Sequence, residues 1–234
     1  MTLDIRGFIE TSLIDWDGKI SSVIFLSGCN LRCSFCHNYP LVFGSETLKK
    51  FEFEDIKKYL GEHKSWIDGV VVSGGEPTIY RDLEGLIRDI KDMDFSVKLD
   101  TNGTNPAMLK DLIAKKLLNY VAMDVKAPLN NKYEEVAGCP VNLTDIRESI
   151  REIMGSGIDY EFRTTVVPGQ LDVEDIAELA KAITGAKKFI LQQFQPANAR
   201  DEALRKLKPY SKEKMVELSE AAKAYVPNAL FRGV

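Results

Sequence analysis

The chain has 234 residues, 44% hydrophobic and 28% charged, which is the size and balance of one globular domain with a sizeable buried core. Its 31 Lys and Arg against 35 Asp and Glu leave a net charge of −4, without the basic excess that phosphate-backbone binding leaves in a sequence, so nucleic acid is not an expected partner. No stretch approaches the roughly 18 apolar residues of a membrane span, and Met1 to Gly7 carries Asp4 and Arg6 rather than an apolar leader core, so a cytoplasmic protein with no membrane partner is expected.

Residues 1–19 read as an N-terminal extension. After them, short runs rich in Val, Ile and Phe occur at Ile20 to Leu26, Val70 to Ser73, Phe95 to Leu99, Tyr120 to Val125, Tyr160 to Val167 and Phe189 to Phe194, the pattern of six buried strands. Amphipathic helical patterns separate them at Glu54 to His63, Leu83 to Met93, Pro106 to Leu118, Asp145 to Met154 and Val173 to Ile183, and Lys212 to Ala224 follows the last strand. Alternation of this kind predicts an α/β fold with a parallel sheet covered by helices, either an open doubly wound sheet or a full or partial barrel. No repeat, low-complexity tract or linker breaks it, so residues 1–234 read as a single domain. Ala127 to Asn142 reads as one long irregular connection, with two prolines, two consecutive asparagines and Cys139, and is a candidate lid or partner-contact loop.

The first strand runs into Ser27-Gly28-Cys29-Asn30-Leu31-Arg32-Cys33-Ser34-Phe35-Cys36-His37-Asn38. A buried helical stripe of cysteines is one reading, but Gly28, Asn30 and Asn38 argue for a loop. Zinc needs a fourth ligand, and Cys139 is over a hundred residues away. An electron-transfer cluster normally takes four cysteines, whereas this motif supplies three. Three thiolates on a cubane leave one iron open to an exogenous ligand, which is the arrangement of a reactive rather than a structural site. Crowded cysteines of this kind also suit a reducing compartment. His37 reads as a turn-stabilising residue and Cys139 as a buried or incidental thiol.

Later strands end in polar groups. Ser73-Gly74-Gly75-Glu76-Pro77-Thr78 alone is an ordinary turn, and Leu99-Asp100-Thr101-Asn102-Gly103 alone is a turn capped by an Asx side chain. On the fourth strand, a period of two puts Asp124 and Lys126 on the face opposite Val121, Met123 and Val125. Two opposite charges turned toward an apolar interior must be paired or bound to a ligand. Glu161, Arg163 and Thr165 share a face of the fifth strand, and Gln193 and Gln195 a face of the sixth. Inward polar groups near the carboxyl ends of several strands favour a barrel with an active site over a packed open sheet.

The cysteine spacing, with aromatic Phe35 before the third cysteine, resembles the radical S-adenosylmethionine superfamily. Taken with Gly-Gly-Glu-Pro, Asp-Thr-Asn-Gly, Met-Asp-Val-Lys and Phe-Arg-Thr-Thr-Val-Val-Pro-Gly, nearly the whole chain resembles the glycyl-radical-enzyme activases. Within that group it is most similar to the anaerobic ribonucleoside-triphosphate reductase activating proteins and their pyruvate formate-lyase activating relatives. The resemblance implies a partial (β/α)6 barrel of the radical SAM type, open at the side. It implies a [4Fe-4S] cluster on Cys29, Cys33 and Cys36 and S-adenosylmethionine across the strand tops. Phe35 would border the adenine, and Gly74, Gly75 and Glu76 the methionyl amine. Lys126 would meet the methionyl carboxylate, with Arg163 near the ligand or reaction centre, and Asp100 and Asn102 would belong to the same cofactor wall. Asp100, Thr101 and Asp124 match positions that hold a monovalent cation in the pyruvate formate-lyase relative. The implied partners are a glycyl radical protein and a reduced flavodoxin or ferredoxin type electron donor. A radical enzyme acting on a small molecule or another protein, and a non-enzymatic iron-sulfur or structural metal protein, are the competing readings. The segment Gln193 to Asn198 lacks the histidine of the relative, which removes proton chemistry there.

Overall fold

The computed structural model describes residues 3–234. Among the described residues there are eight strands: β1 Ile5–Ser12, β2 Ser21–Leu26, β3 Gly69–Gly74, β4 Ser96–Thr101, β5 Tyr120–Asp124, β6 Asp159–Val166, β7 Phe189–Gln193 and β8 Ala229–Arg232. Their order in the sheet is their order in the chain, and the sheet is not closed into a barrel. Pairing is antiparallel for β1 with β2 and parallel for β2 with β3, β3 with β4, β6 with β7 and β7 with β8. All six predicted strands are present, with α1 Tyr39–Phe43, α2 Phe53–Glu62, α3 Leu83–Asp92, α4 Pro106–Ala114, α5 Lys132–Ala137, α6 Leu143–Gly155, α7 Val173–Ala182 and α8 Lys212–Lys223 between or after them. Among the described residues no helix is long and apolar enough to cross a membrane.

Two strands lie outside the predicted six. β1 falls within the predicted N-terminal extension; most of its residues are half-buried or exposed, so it has no clean alternation to read. β8 has only four residues. Both have one strand neighbour, as edge strands do, and edges tolerate such weak patterns. The predicted irregular stretch Ala127 to Asn142 is also corrected, because α5 occupies its middle and buries Tyr133, Val136 and Ala137. Six residues between prolines and asparagines are too few for a helical period to show in sequence.

The chain forms two compact units. One takes the chain up to Asn30, with Asn38–Thr101 and Ala107–Val121; the other takes Leu31–His37, Asn102–Pro106 and Ala122–Val234. In the first, α3 buries Leu83, Leu86, Ile87 and Ile90, the spacing of one helical face, and Trp16, Val23 and Val71 pack with Phe25 and Tyr120. In the second, α7 starts at a capping box in which Asp172 and Asp175 each accept the other's backbone N–H. Ser211 caps α8 by accepting from Lys214 N.

Candidate functional site

In the first unit the parallel register of β2 and β3 sets Leu26 opposite Gly74. The ladder continues beyond both strands: Gly75 N donates to Leu26 O and Glu76 N to Gly28 O, each at 2.9 Å. The turn Gly74-Gly75-Glu76 is thereby bonded to the residue that precedes Cys29. Both glycines are required by this approach. Gly74 has φ +125°, and a Cβ there would lie 2.1 Å from Leu26 O; at Gly75 it would lie 1.8 Å from Gly28 O. Asn38 Nδ2 donates to Gly74 O at 2.8 Å and fixes that carbonyl.

Glu76 is fully buried. Its Oε1 accepts from Thr78 N at 3.0 Å, Thr78 Oγ1 at 2.5 Å and Thr101 Oγ1 at 2.8 Å. A buried carboxylate needs donors of this number. Asp100 accepts from Ser73 Oγ at 3.2 Å and lies 3.7 Å from Lys98 Nζ. Lys98 itself is buried, donates to Asp15 O at 2.5 Å and lies 5.4 Å from the Tyr120 ring centroid. It shares the strand face of Asp100 by period two, a signal in the sequence that the motif reading passed over.

In the second unit the predicted Asp124 and Lys126 pair forms, and Arg163 joins it. Asp124 Oδ1 accepts from Arg163 Nε at 2.8 Å and Oδ2 from Lys126 Nζ at 3.0 Å. Backbone and side-chain bonds hold the participants in place: Val125 N donates to Arg163 O at 2.9 Å, and Thr164 Oγ1 to Val125 O at 2.7 Å. Burial works to raise the Asp124 pKa, but the charges of Arg163 and Lys126 prevail and hold it well below the usual carboxylate range. Burial likewise opposes the Lys126 charge, and Asp124 overcomes it, holding the ammonium above its ordinary pKa. All three groups are therefore charged at neutral pH.

The same unit carries most of the cysteine loop. Phe35 is buried, with Lys126 Nζ 6.0 Å from its ring centroid. Burial pushes the Cys33 thiol up, with the Lys126 charge opposing. His37 is lowered by burial, the Gln195 backbone opposing, and its ring lies 6.4 Å from that of Phe194. Asn102 Oδ1 accepts from Thr104 N at 3.0 Å and Thr104 Oγ1 at 2.7 Å, so this oxygen serves its own turn. Tyr133, which the sequence reading missed inside its irregular stretch, is fully buried; burial raises its phenol, with Lys126 opposing. Gln193 is buried and donates to Tyr210 O at 2.6 Å, whereas Gln195 is exposed. Glu161 pairs with Lys188 at 3.3 Å and Arg232 at 3.5 Å. Cys139 Sγ lies 3.8 Å from Ala137 O.

Residues 23–183 match the Radical SAM superfamily. The chain belongs to that superfamily. It is an enzyme of radical chemistry, and a [4Fe-4S] cluster and S-adenosylmethionine follow from the family. It is 37% identical over 98% of its length to 96% of a provisionally named glycyl-radical enzyme activating enzyme of Methanocaldococcus jannaschii. It is 26% identical over 94% of its length to 96% of the pyruvate formate-lyase-activating enzyme of Clostridium pasteurianum. Two solved structures share the fold alone. Streptococcus suis SuiB bound to the precursor peptide SuiA matches with a TM-score of 0.70 at 18% identity over 90% of this chain, which spans 48% of that one. A domain of a pyruvate-formate lyase-activating enzyme from Bacteroides vulgatus matches with a TM-score of 0.58 at 17% identity, over 70% of this chain and 99% of that one.

The residues present fit these cofactors. The glycine turn leaves no room for any side chain, and the charged trio offers an ammonium and a guanidinium to a carboxylate. Among the described residues no three His, Cys, Asp or Glu side chains are placed to hold one metal ion. Thiolates that each take a separate iron of a cubane need not meet at one point.

Proposed function

We propose that this chain is a glycyl-radical-enzyme activase, which generates a radical from S-adenosylmethionine and uses it to take a hydrogen atom from a glycine of a partner protein, such as an anaerobic ribonucleotide reductase. The observation that carries the cofactor assignment is the backbone bond from Glu76 N to Gly28 O, which ties the Gly74-Gly75-Glu76 turn to the start of the cysteine motif. The choice of a glycyl radical protein as substrate rests on similarity to activating enzymes over nearly the full chain.

In this reading Cys29, Cys33 and Cys36 hold the [4Fe-4S] cluster. When bound, the cluster supplies the electron that cleaves the sulfonium of S-adenosylmethionine to methionine and a 5′-deoxyadenosyl radical. The Gly74 to Glu76 turn receives the methionyl amine, Lys126 pairs with the methionyl carboxylate, Arg163 stands near it and Phe35 borders the adenine. Asp124 keeps Lys126 and Arg163 charged and oriented before the ligand arrives, so little reorganisation accompanies binding. The segment Ala127 to Asn142 is our choice for the surface that meets the partner protein. We assign no monovalent cation to Asp100, Thr101 and Asp124. Asp100 stands beside the chain's own ammonium on Lys98, Thr101 Oγ1 donates to Glu76, and Asp124 is bonded to two cationic side chains.

Anaerobic reconstitution with iron and sulfide, followed by reduction, is expected to give 5′-deoxyadenosine from S-adenosylmethionine, and Cys33→Ala to abolish it. Mixing with a glycyl radical protein is expected to give a glycyl doublet by electron paramagnetic resonance. Product without any doublet would remove the activase assignment and leave the radical chemistry.

A further inference from the structure

One hydroxyl in the interior of the second unit is left over once its polar groups are paired. Tyr133 is fully buried, and its Oη has no hydrogen-bond partner among the described residues. A buried O–H without an acceptor carries its whole desolvation cost, and a phenylalanine would fill the same space without it. Burial raises the phenol pKa, Lys126 opposes, and the negative charges of Cys33 and then Asp124 add to the rise, so the group keeps its proton at neutral pH and remains a donor.

The helix that carries this hydroxyl is bonded to the cysteine loop. Gly138 N closes the end of α5 by donating to Glu134 O at 2.8 Å, and Arg32 N donates to Ala137 O at 2.8 Å. The contact is close: Gly138 has φ +72°, and a Cβ there would lie 2.4 Å from Arg32 O. Ala137 follows Tyr133 by one turn on the same buried face, so that face of α5 meets the residue immediately before Cys33. Of the three cysteines of the motif, Cys33 is buried while Cys29 and Cys36 are half-buried. Water reaches the latter two, whereas negative charge on the Cys33 sulfur needs donors from the protein. Asp124 is the other acceptor near the phenol, and its two oxygens already take Arg163 and Lys126.

We propose that the Tyr133 hydroxyl donates a hydrogen bond to the Cys33 sulfur when that sulfur carries the cluster, and so tunes the potential at which the cluster accepts an electron. The proposal rests on the cluster reading above and adds to it a residue that none of the cysteine, glycine or charged motifs contains. A metal-bound thiolate is a stronger acceptor than a thiol, because the bond to it is charge-assisted. Hydrogen bonds to the sulfurs are among the features that set the potential of such a cluster. Reduction adds negative charge, a donor aimed at the sulfur stabilises that charge, and the potential rises. The Lys126 charge acts on the same sulfur, so Cys33 faces an ammonium and a phenol together.

The test is a potentiometric titration of the anaerobically reconstituted enzyme, followed by the paramagnetic signal of the reduced cluster. Tyr133→Phe is expected to lower the one-electron reduction equilibrium about tenfold, which places the midpoint about 59 mV more negative. Replacement of Tyr133 by 3-fluorotyrosine, a more acidic donor of nearly the same size, is expected to move the midpoint the opposite way. The urea midpoint of the cluster-free Tyr133→Phe protein should equal or exceed that of the wild type, because the hydroxyl removed has no partner there. Affinity for S-adenosylmethionine, by calorimetric titration, should be unchanged. An unchanged potential in the variants overturns the proposal. So does a loss of S-adenosylmethionine affinity at unchanged potential, which would put the hydroxyl on the methionyl carboxylate, and so does a destabilised cluster-free variant at unchanged potential, which would make the hydroxyl structural. If Tyr133→Phe takes up no iron, the sign of the fluorotyrosine shift decides. A wild-type protein that forms no cluster overturns this proposal and the cluster reading together, whereas a wild-type cluster whose potential ignores position 133 overturns this proposal alone.

Discussion

The Gly74 to Glu76 turn and the Asp124, Lys126 and Arg163 trio are built on opposite physical principles. The turn is made by backbone: hydrogen bonds to Leu26 and Gly28 place it, and two missing side chains allow the approach. The trio is made by charge: one carboxylate takes an ammonium and a guanidinium on separate oxygens. A steric site fails abruptly when an atom is added. An electrostatic site loses one of its cations by degrees, since Asp124 can still pair with the other.

The largest effect should follow from attacking the turn. Gly75→Ala would set a Cβ 1.8 Å from a backbone oxygen with no flexible side chain to give way. It is expected to cost about 3 kcal/mol or to prevent folding, as measured by urea unfolding. A stable, active Gly75→Ala protein would show that the turn is loose and would erase the contrast.

Lys126→Met comes next. One cationic partner of Asp124 remains, so the protein should fold, while affinity for S-adenosylmethionine falls at least about tenfold by calorimetric titration, the worth of one charge-assisted hydrogen bond. Unchanged affinity would remove Lys126 from the methionyl carboxylate.

The pH dependence sharpens the same point. Asp124 has a lowered pKa, so its contribution to stability is present above its unfolded value of about 3.9 and is lost as pH falls through the folded one. Lys126 has a raised pKa, so its contribution is present below about 10.4 and is lost as pH rises through the folded value. The stability difference between wild type and Asp124→Asn should therefore be flat from about pH 5 to 9 and shrink below about pH 4. A difference that titrates near neutral pH would mean that the trio is not fully charged.

Thr101→Val should show the smallest effect. It removes the Thr101 hydroxyl as a donor to Glu76 Oε1 while Thr78 N and Oγ1 still donate there, and a loss of about 1 kcal/mol is expected by thermal unfolding. A larger loss would show that Glu76 depends on the chain's own hydroxyls more than the bond count implies.

The periodic features were readable in the chain alone. Six buried strands, the helices between them and the shared face of Asp124 and Lys126 all follow from repeats of two or 3.6 residues, which one segment displays by itself. The Cys29, Cys33 and Cys36 spacing is likewise local, and so is the presence of two adjacent glycines at Gly74 and Gly75. What they approach was not local. Gly28 O is nearly fifty residues away, and only the parallel register of β2 and β3 brings it there. Arg163 as the second partner of Asp124, Lys98 beside Asp100, Tyr133 in a six-residue helix and the bond from Asp201 N to Ser34 O depend in the same way on tertiary packing. A sequence states which side chains share a face; which other strand or loop that face meets is set by long-range pairing, whose free energy no single segment contains.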